Sequence, residues 1–159
     1  MKFLFDEMLK RLSRWCRIFG IYSEHFEGKS DTELLEYAEA NNLVLVTRDV
    51  PLFERCKKHG LECIRIESDN FEEQLVQLLK ETGAEVRFPD ETRCASCNGE
   101  LSIIERGKAK GNIPEDVYES GKELWQCKEC KKIYWRDGSH WKNISKVYEN
   151  VMKRLSKAI

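Results

Sequence analysis

The sequence predicts a mixed α/β protein: a parallel sheet with flanking helices, then a small cysteine-bearing ribbon and a terminal helix. Three observations carry this reading. Short apolar runs alternate with helical patterns through residues 1–88, the order that a parallel sheet covered by helices requires. At Pro89 and Asp90 the texture changes to short strands and turns. Two Cys-x-x-Cys pairs, Cys94 with Cys97 and Cys127 with Cys130, lie in that second stretch. Boundaries are therefore expected at 1–90, 91–142 and 143–159, and 159 residues suffice for one compact domain with a small appended module.

Residues 2–5 read as the first strand and 7–19 as a helix. On that helix Met8, Leu9, Leu12, Trp15, Cys16 and Phe19 share one face at 3.6-residue periodicity, and Lys10, Arg11, Arg14 and Arg17 fall opposite. Ser30 or Asp31 can cap a second helix that runs to Asn41, with Leu34, Leu35 and Ala38 inward. Residues 43–47 are a continuous apolar, β-branched run, as in a strand buried on both faces. A short helix over 51–59 ends at Gly60, a strand follows over 61–66, and a helix over 71–82 ends at Gly83. Residues 84–88 carry the pattern of one more short strand. Beyond them, strands are expected at 101–105, 124–126 and 133–135, with a Lys/Gly-rich loop over 106–112. Ile144, Val147, Tyr148, Val151, Met152 and Leu155 restore helical spacing, which predicts a helix over 143–155 docked on one of the two modules.

A composition of 41% hydrophobic and 35% charged residues fits a globular chain and excludes long disorder. No run approaches the roughly 18–20 apolar residues of a membrane span. The first residues lack a signal-peptide pattern, so a cytoplasmic location without membrane attachment is expected. The formal net charge of −1 hides an asymmetry. Residues 1–90 hold 13 Lys+Arg against 18 Asp+Glu, and residues 91–159 hold 14 against 10. An acidic front and a basic back suit a carboxylate site with a cationic surface for a polyanion, although solvated faces produce the same counts.

Seven cysteines are an odd number for a disulfide framework. Cys16, Cys56 and Cys63 sit among apolar residues and read as small buried hydrophobes. The other four have the spacing of a tetrahedral zinc site, in which each tight turn points two sulfurs at one ion. An iron–sulfur site and a redox pair compete with zinc; a redox pair would open a helix after a strand, which neither pair clearly does. A closed four-thiolate shell is structural, and it folds a module too small for a core of its own. His140, ten residues after Cys130, reads either as a turn histidine or as a neighbour of a substrate phosphate. Trp125, Trp135 and Trp141 read either as packing around that small module or as stacking partners for bases.

In an open parallel sheet, ligands bind at the carboxyl ends of the strands. Asp6 directly follows the first strand, Asp49 follows 43–47, Asp69 follows 61–66, and Asp31 opens a helix. Gathered carboxylates repel one another unless divalent cations neutralise them, and Mg(II) or Mn(II) with oxygen ligands is the natural match. Asp31, Asp49 and Asp69 also fit helix caps or loop positions, and spacing alone leaves both readings open.

Together these residues resemble the Mut-seven C-terminal ribonuclease family, a PIN-like nuclease domain followed by a zinc ribbon. The likeness spans about residues 2–142. It rests on Phe3-Leu4-Phe5-Asp6-Glu7-Met8-Leu9 with Leu12, Arg14-Trp15, Arg17 and Gly20; on Ser30-Asp31 with Glu33-Leu34-Leu35; and on Leu45-Val46-Thr47-Arg48-Asp49. Ser68-Asp69 with Gln74-Leu75 adds to it, as do Arg93-Cys94, Cys97-Asn98-Gly99, Ile113-Pro114, Val117-Tyr118, Trp125, Cys127, Cys130, Tyr134-Trp135 and Gly138-Ser139-His140. The resemblance implies metal-dependent RNA hydrolysis, with Asp6, Asp31 and Asp49 ligating Mg(II) or Mn(II) and Asp69 completing the cluster. Cys94, Cys97, Cys127 and Cys130 would hold structural zinc. Independently of the resemblance, Arg11, Arg14 and Arg17 with Lys10, together with Arg48, are placed to guide a phosphate backbone; a protein regulator is expected of PIN-like nucleases. Two departures stand out: Tyr22 replaces an aspartate that the family often carries, and Asp137 is inserted in the Trp-Arg-Gly-Ser-His turn. The alternative is an RNA- or ribosome-binding protein that keeps the fold without turnover.

Overall fold

Four strands pair in parallel in the order β2-β1-β3-β4 in the computed structural model, which describes residues 1–157. They are β1 (Phe3–Phe5), β2 (Ser23–His25), β3 (Val44–Thr47) and β4 (Cys63–Arg65). The intervening helices are α1 (Lys10–Ile18), entered through a 3-10 turn at Glu7–Leu9, α2 (Asp31–Ala40), α3 (Val50–Lys58) and α4 (Phe71–Thr82). Side-chain oxygens of Ser30, Asp49 and Asn70 accept from the backbone N–H three residues on, which caps α2, α3 and α4.

The period of two along each strand divides the core. Phe3, Phe5, Val44 and Val46 pack with Leu12, Trp15 and Phe19 and with Leu75, Leu78 and Leu79 of α4. Leu4 and Leu45 point the other way, onto Leu34, Leu35 and Ala38 of α2 and onto Leu52 and Cys56 of α3. Full burial of each large apolar side chain stabilises by about 1.5–3 kcal/mol, so the two inner strands anchor both layers.

The second sheet is antiparallel, β5 (Leu101–Ile104), β6 (Leu124–Cys127) and β7 (Ile133–Trp135). Two short helices, α5 (Arg106–Ala109) and α6 (Glu115–Glu119), fill the β5–β6 connection, so the expected loop holds a helical turn. The last helix, α7 (Gly138–Lys157), begins earlier than its apolar spacing indicates and packs Ile144, Val147 and Val151 into the first layer of the parallel sheet.

Two expectations need correction. Residues 84–88 form no strand: the Arg87 N–H donates to Phe19 O at 2.9 Å, away from any sheet edge, and Phe88 fills a cluster with Phe19, Trp141 and Tyr148. Strand β2 lies outside the expected elements, because Ser-Glu-His offers no apolar run. It is an edge strand, held by its ladder to β1. Gly20 enables the first of these arrangements, since it sits at φ 82° and a Cβ there would meet Glu91 O at 2.6 Å.

Candidate active site

Every strand of the parallel sheet leads into a helix at the same edge, and the four aspartates fall there. Asp6 follows β1, Asp31 opens α2 after β2, Asp49 follows β3, and Asp69 lies between β4 and α4. The chain runs from β1 outward to β2 and then returns across β1 to β3, so the strand order reverses between β1 and β3. Crevices at such switch points are where open α/β sheets bind ligands. Asp6 and Asp49 stand on its two sides.

Thr47 joins them. Its hydroxyl donates to Asp6 Oδ2 and accepts from the Asp49 N–H at 2.9 Å. Asp49 Oδ1 in turn accepts from the Leu52 N–H at 2.9 Å, so the carboxylate caps α3. Asp6 is 5% exposed, and its Oδ1 is buried with no hydrogen-bond partner. Burial pushes the Asp6 carboxyl above its ordinary pKa. The hydrogen bond from Thr47 and the nearby backbone N–H groups of Met8 and Arg48 pull it back, and nearby Asp49 adds to the rise. A buried carboxylate oxygen without a donor fits a hard cation with oxygen ligands.

The outer two aspartates are less tightly drawn in. Asp31 is half-buried and lies 3.9 Å from Arg55 Nη1 of α3, and Arg55 also donates to Thr32. Asp69 is exposed between Ser68 and the capping Asn70. Among the described residues, the one group of three or more His, Cys, Asp or Glu ligand atoms lying within 4.8 Å of one another is the cysteine quartet. The aspartates share an edge without that convergence.

The cationic residues divide. Arg14 is exposed, and Arg11 lies over the Phe71 ring with its guanidinium carbon 3.8 Å from the centroid. Arg48 is half-buried beside Asp49. Arg17 does not face solvent as helical spacing indicated: it is buried, and it donates to Ser23 O at 2.8 Å and to Ala95 O at 3.0 Å. Its guanidinium is spent on joining α1, β2 and the first cysteine turn. Asn98 strengthens the same joint, its Oδ1 accepting from the N–H of Ser23 and from Arg93 Nε.

In the quartet, Cys94 Sγ lies 3.7 Å from Cys130 Sγ and Cys97 Sγ 3.4 Å from Cys127 Sγ. Bonds of about 2.3 Å to a tetrahedral centre require sulfurs about 3.8 Å apart, so the four thiols fit one zinc ion. Each pair closes alike: Asn98 N–H donates to Cys94 O and Lys131 N–H to Cys127 O, with Asn98 at φ 73° and Lys131 at φ 67°. Gly99 leaves room for the site, since a Cβ there would meet Cys127 Sγ at 2.6 Å. No helix among the described residues is long and apolar enough to cross a membrane.

Thr47 has no signature in the sequence, because a hydroxyl ending an apolar run acquires a role only when β1 and β3 are neighbours. No curated protein and no solved structure matches the chain. The family described as the Mut7-C RNAse domain matches residues 1–148. With nearly the whole chain covered, from Asp6 through the cysteine quartet, this protein belongs to the Mut7-C RNAse domain family.

Proposed function

We propose that the protein is a metal-dependent ribonuclease whose site lies at the carboxyl edge of the parallel sheet. The observation that carries this reading is the Asp6–Thr47–Asp49 linkage across the switch point, with a buried oxygen of Asp6 left unpartnered. RNA is the substrate class that the family implies. Asp6 and Asp49 would hold Mg(II) or Mn(II), with Asp31 and Asp69 completing the acidic edge. A divalent cation there supplies water activation and neutralises charge on a phosphodiester.

Thr47 fixes the rotamer of Asp6, so the carboxylate is oriented before substrate arrives. Arg11, Arg14 and Arg48 guide the phosphate backbone; Arg17 is left out, since it is buried and donates to the Ser23 and Ala95 carbonyls. The cysteine quartet holds one structural zinc and closes residues 91–142 onto the nuclease unit 1–90; the third segment, 143–159, carries α7 as far as Lys157, and its last two residues lie outside the described ones. Four thiolates leave no open position, so zinc takes no part in hydrolysis.

The test is hydrolysis of an end-labelled single-stranded RNA with and without Mn(II). The wild type should cleave only when Mn(II) or Mg(II) is added, and Asp6→Asn and Asp49→Asn should not cleave. Equal cleavage by the variants would assign the activity elsewhere. Metal-independent RNA retention without cleavage by any form would favour a binding protein.

A further inference from the structure

A cavity lies at the opposite end of α1 from the acidic edge. That helix starts beside the acidic edge, and its nine residues carry the chain about 14 Å, at 1.5 Å per residue, to Ile18 and Gly20. There the cavity opens between the segment around Asp90, the face of the second sheet and the start of α7. Its volume is about 380 Å³, within the range of roughly 300–1,000 Å³ for small-molecule sites. Trp125 and Trp141 form its aromatic walls, and Arg93, Asp90 and His140 bring polar groups to it.

The lining chooses among ligand classes. Arg136 sits between the two indoles, 4.1 Å from the Trp125 ring centroid and 5.3 Å from that of Trp141, and it donates to Pro89 O. The chain therefore supplies its own cation to these rings, which leaves no cage for a cationic ligand. A bare anion is also a poor match, because Arg87, Arg93 and Arg136 are balanced by Asp90, Glu91 and Glu100. A flat, neutral ring with donors and acceptors on its edge suits indole and guanidinium faces beside mixed polar groups. That description fits a nucleobase.

The cavity is not isolated. Arg93 and Glu100 also line a neighbouring groove of about 650 Å³, which runs along β2 past Tyr22 to His25 and Phe26. His25 Nε2 lies 3.1 Å from Glu7 O, immediately beyond Asp6. Tyr22 carries Arg93 over its ring at 5.1 Å, so the groove repeats the pairing of guanidinium with aromatic face.

We propose that the cavity at Trp125, Trp141 and Arg136 binds one nucleobase of single-stranded RNA, and that the β2 groove leads the strand from this anchor to the acidic edge. The proposal rests on the ribonuclease reading for the direction of the strand, but base binding stands on the cavity alone. Ile103, cross-strand from Trp125, is 63% exposed.

The experiment uses the full zinc-loaded chain with no Mg(II) or Mn(II) added. An eight-nucleotide single-stranded RNA containing 4-thiouridine is photo-crosslinked, and the labelled peptides are mapped by mass spectrometry. Cross-links are expected on Trp125, Tyr134 or Trp141, with competition by free mononucleotide. Cross-links confined to α1 or to residues 105–123 would overturn the proposal. Titration of the unmodified RNA should quench tryptophan fluorescence, and Trp125→Leu should weaken binding roughly tenfold, the effect of one lost base stack. Unchanged affinity in a folded Trp125→Leu protein with one zinc per chain would also overturn it.

Asp6→Asn separates this proposal from the activity. It should retain the cross-links while losing cleavage. Cavity cross-links in a wild type that never cleaves would support the anchor and end the nuclease reading. Mn(II)-dependent cleavage with all cross-links elsewhere would do the reverse.

Discussion

The parallel sheet and the cysteine-bearing sheet differ in what closes them. In the first, Phe3, Leu4, Phe5, Leu45 and Val46 are wholly removed from water, and helices cover both faces. In the second, only Leu124 and Cys127 of the strand residues are buried, while Ile103 is 63% exposed. One sheet carries its own core, whereas the other depends on the quartet of thiols and on its attachment through Arg17 and Asn98. The chemistry proposed for the molecule falls at the edge of the first sheet, whose core is closed by α7 as well as by helices α1 to α4.

The largest effect that separates the two regions is metal removal. Structural zinc contributes about 10–16 kcal/mol of apparent binding energy in small zinc modules. Cys127→Ser or a strong chelator should therefore unfold residues 93–135 first, read as early proteolytic cleavage there while 1–88 stay protected. Simultaneous loss of both halves would show that the first sheet cannot stand alone. Next is Leu45→Ala, at the centre of the parallel sheet, expected to cost about 2–5 kcal/mol in denaturant unfolding. Arg17→Leu tests the joint: it leaves the Ser23 and Ala95 carbonyls without their side-chain donor, at about 1–3 kcal/mol for each buried group left unsatisfied. It should also raise proteolysis of the ribbon more than that of the sheet.

A pH effect on the metal-free protein sharpens the account of the acidic edge. The Asp6 pKa is raised in the folded state, so the native protein binds its proton more tightly than the unfolded chain. Stability from this group is thus greatest below the ordinary value of 3.8 and falls as pH rises through the raised pKa. Asp6→Asn should flatten that part of the stability profile; an unchanged slope would mean that Asp6 is not the group responsible. The smallest effect belongs to the surface: Glu67→Ala, which removes an exposed ion pair with Arg65, should change stability by no more than about 0.5 kcal/mol.

The regions differed in legibility as well. Hydrophobic periodicity located β1, β3, β4 and helices α1 to α4, because each buries a continuous face. Ser23–His25 escaped, since an edge strand of polar residues takes its conformation from a partner rather than from its own pattern. Residues 84–88 misled for the opposite reason: their apolar side chains fill a helix-lined cluster while the backbone bonds Phe19. The cysteine quartet was readable from spacing because metal geometry is local. Arg17 was not, since its carbonyl partners lie on β2 and in the cysteine turn. The Asp6–Thr47–Asp49 linkage required the strand order, which no window of the sequence contains.

The most direct test of the central claim is Mn(II) binding followed by electron paramagnetic resonance on the zinc-loaded chain, with RNA cleavage measured on the same samples. The wild type should show saturable Mn(II) binding at Asp6 and Asp49, cleavage should rise with occupancy, and Asp6→Asn and Asp49→Asn should each lose about 100-fold or more in rate together with the bound signal. Variants that bind Mn(II) and cut RNA as the wild type does would contradict a nuclease site at this edge.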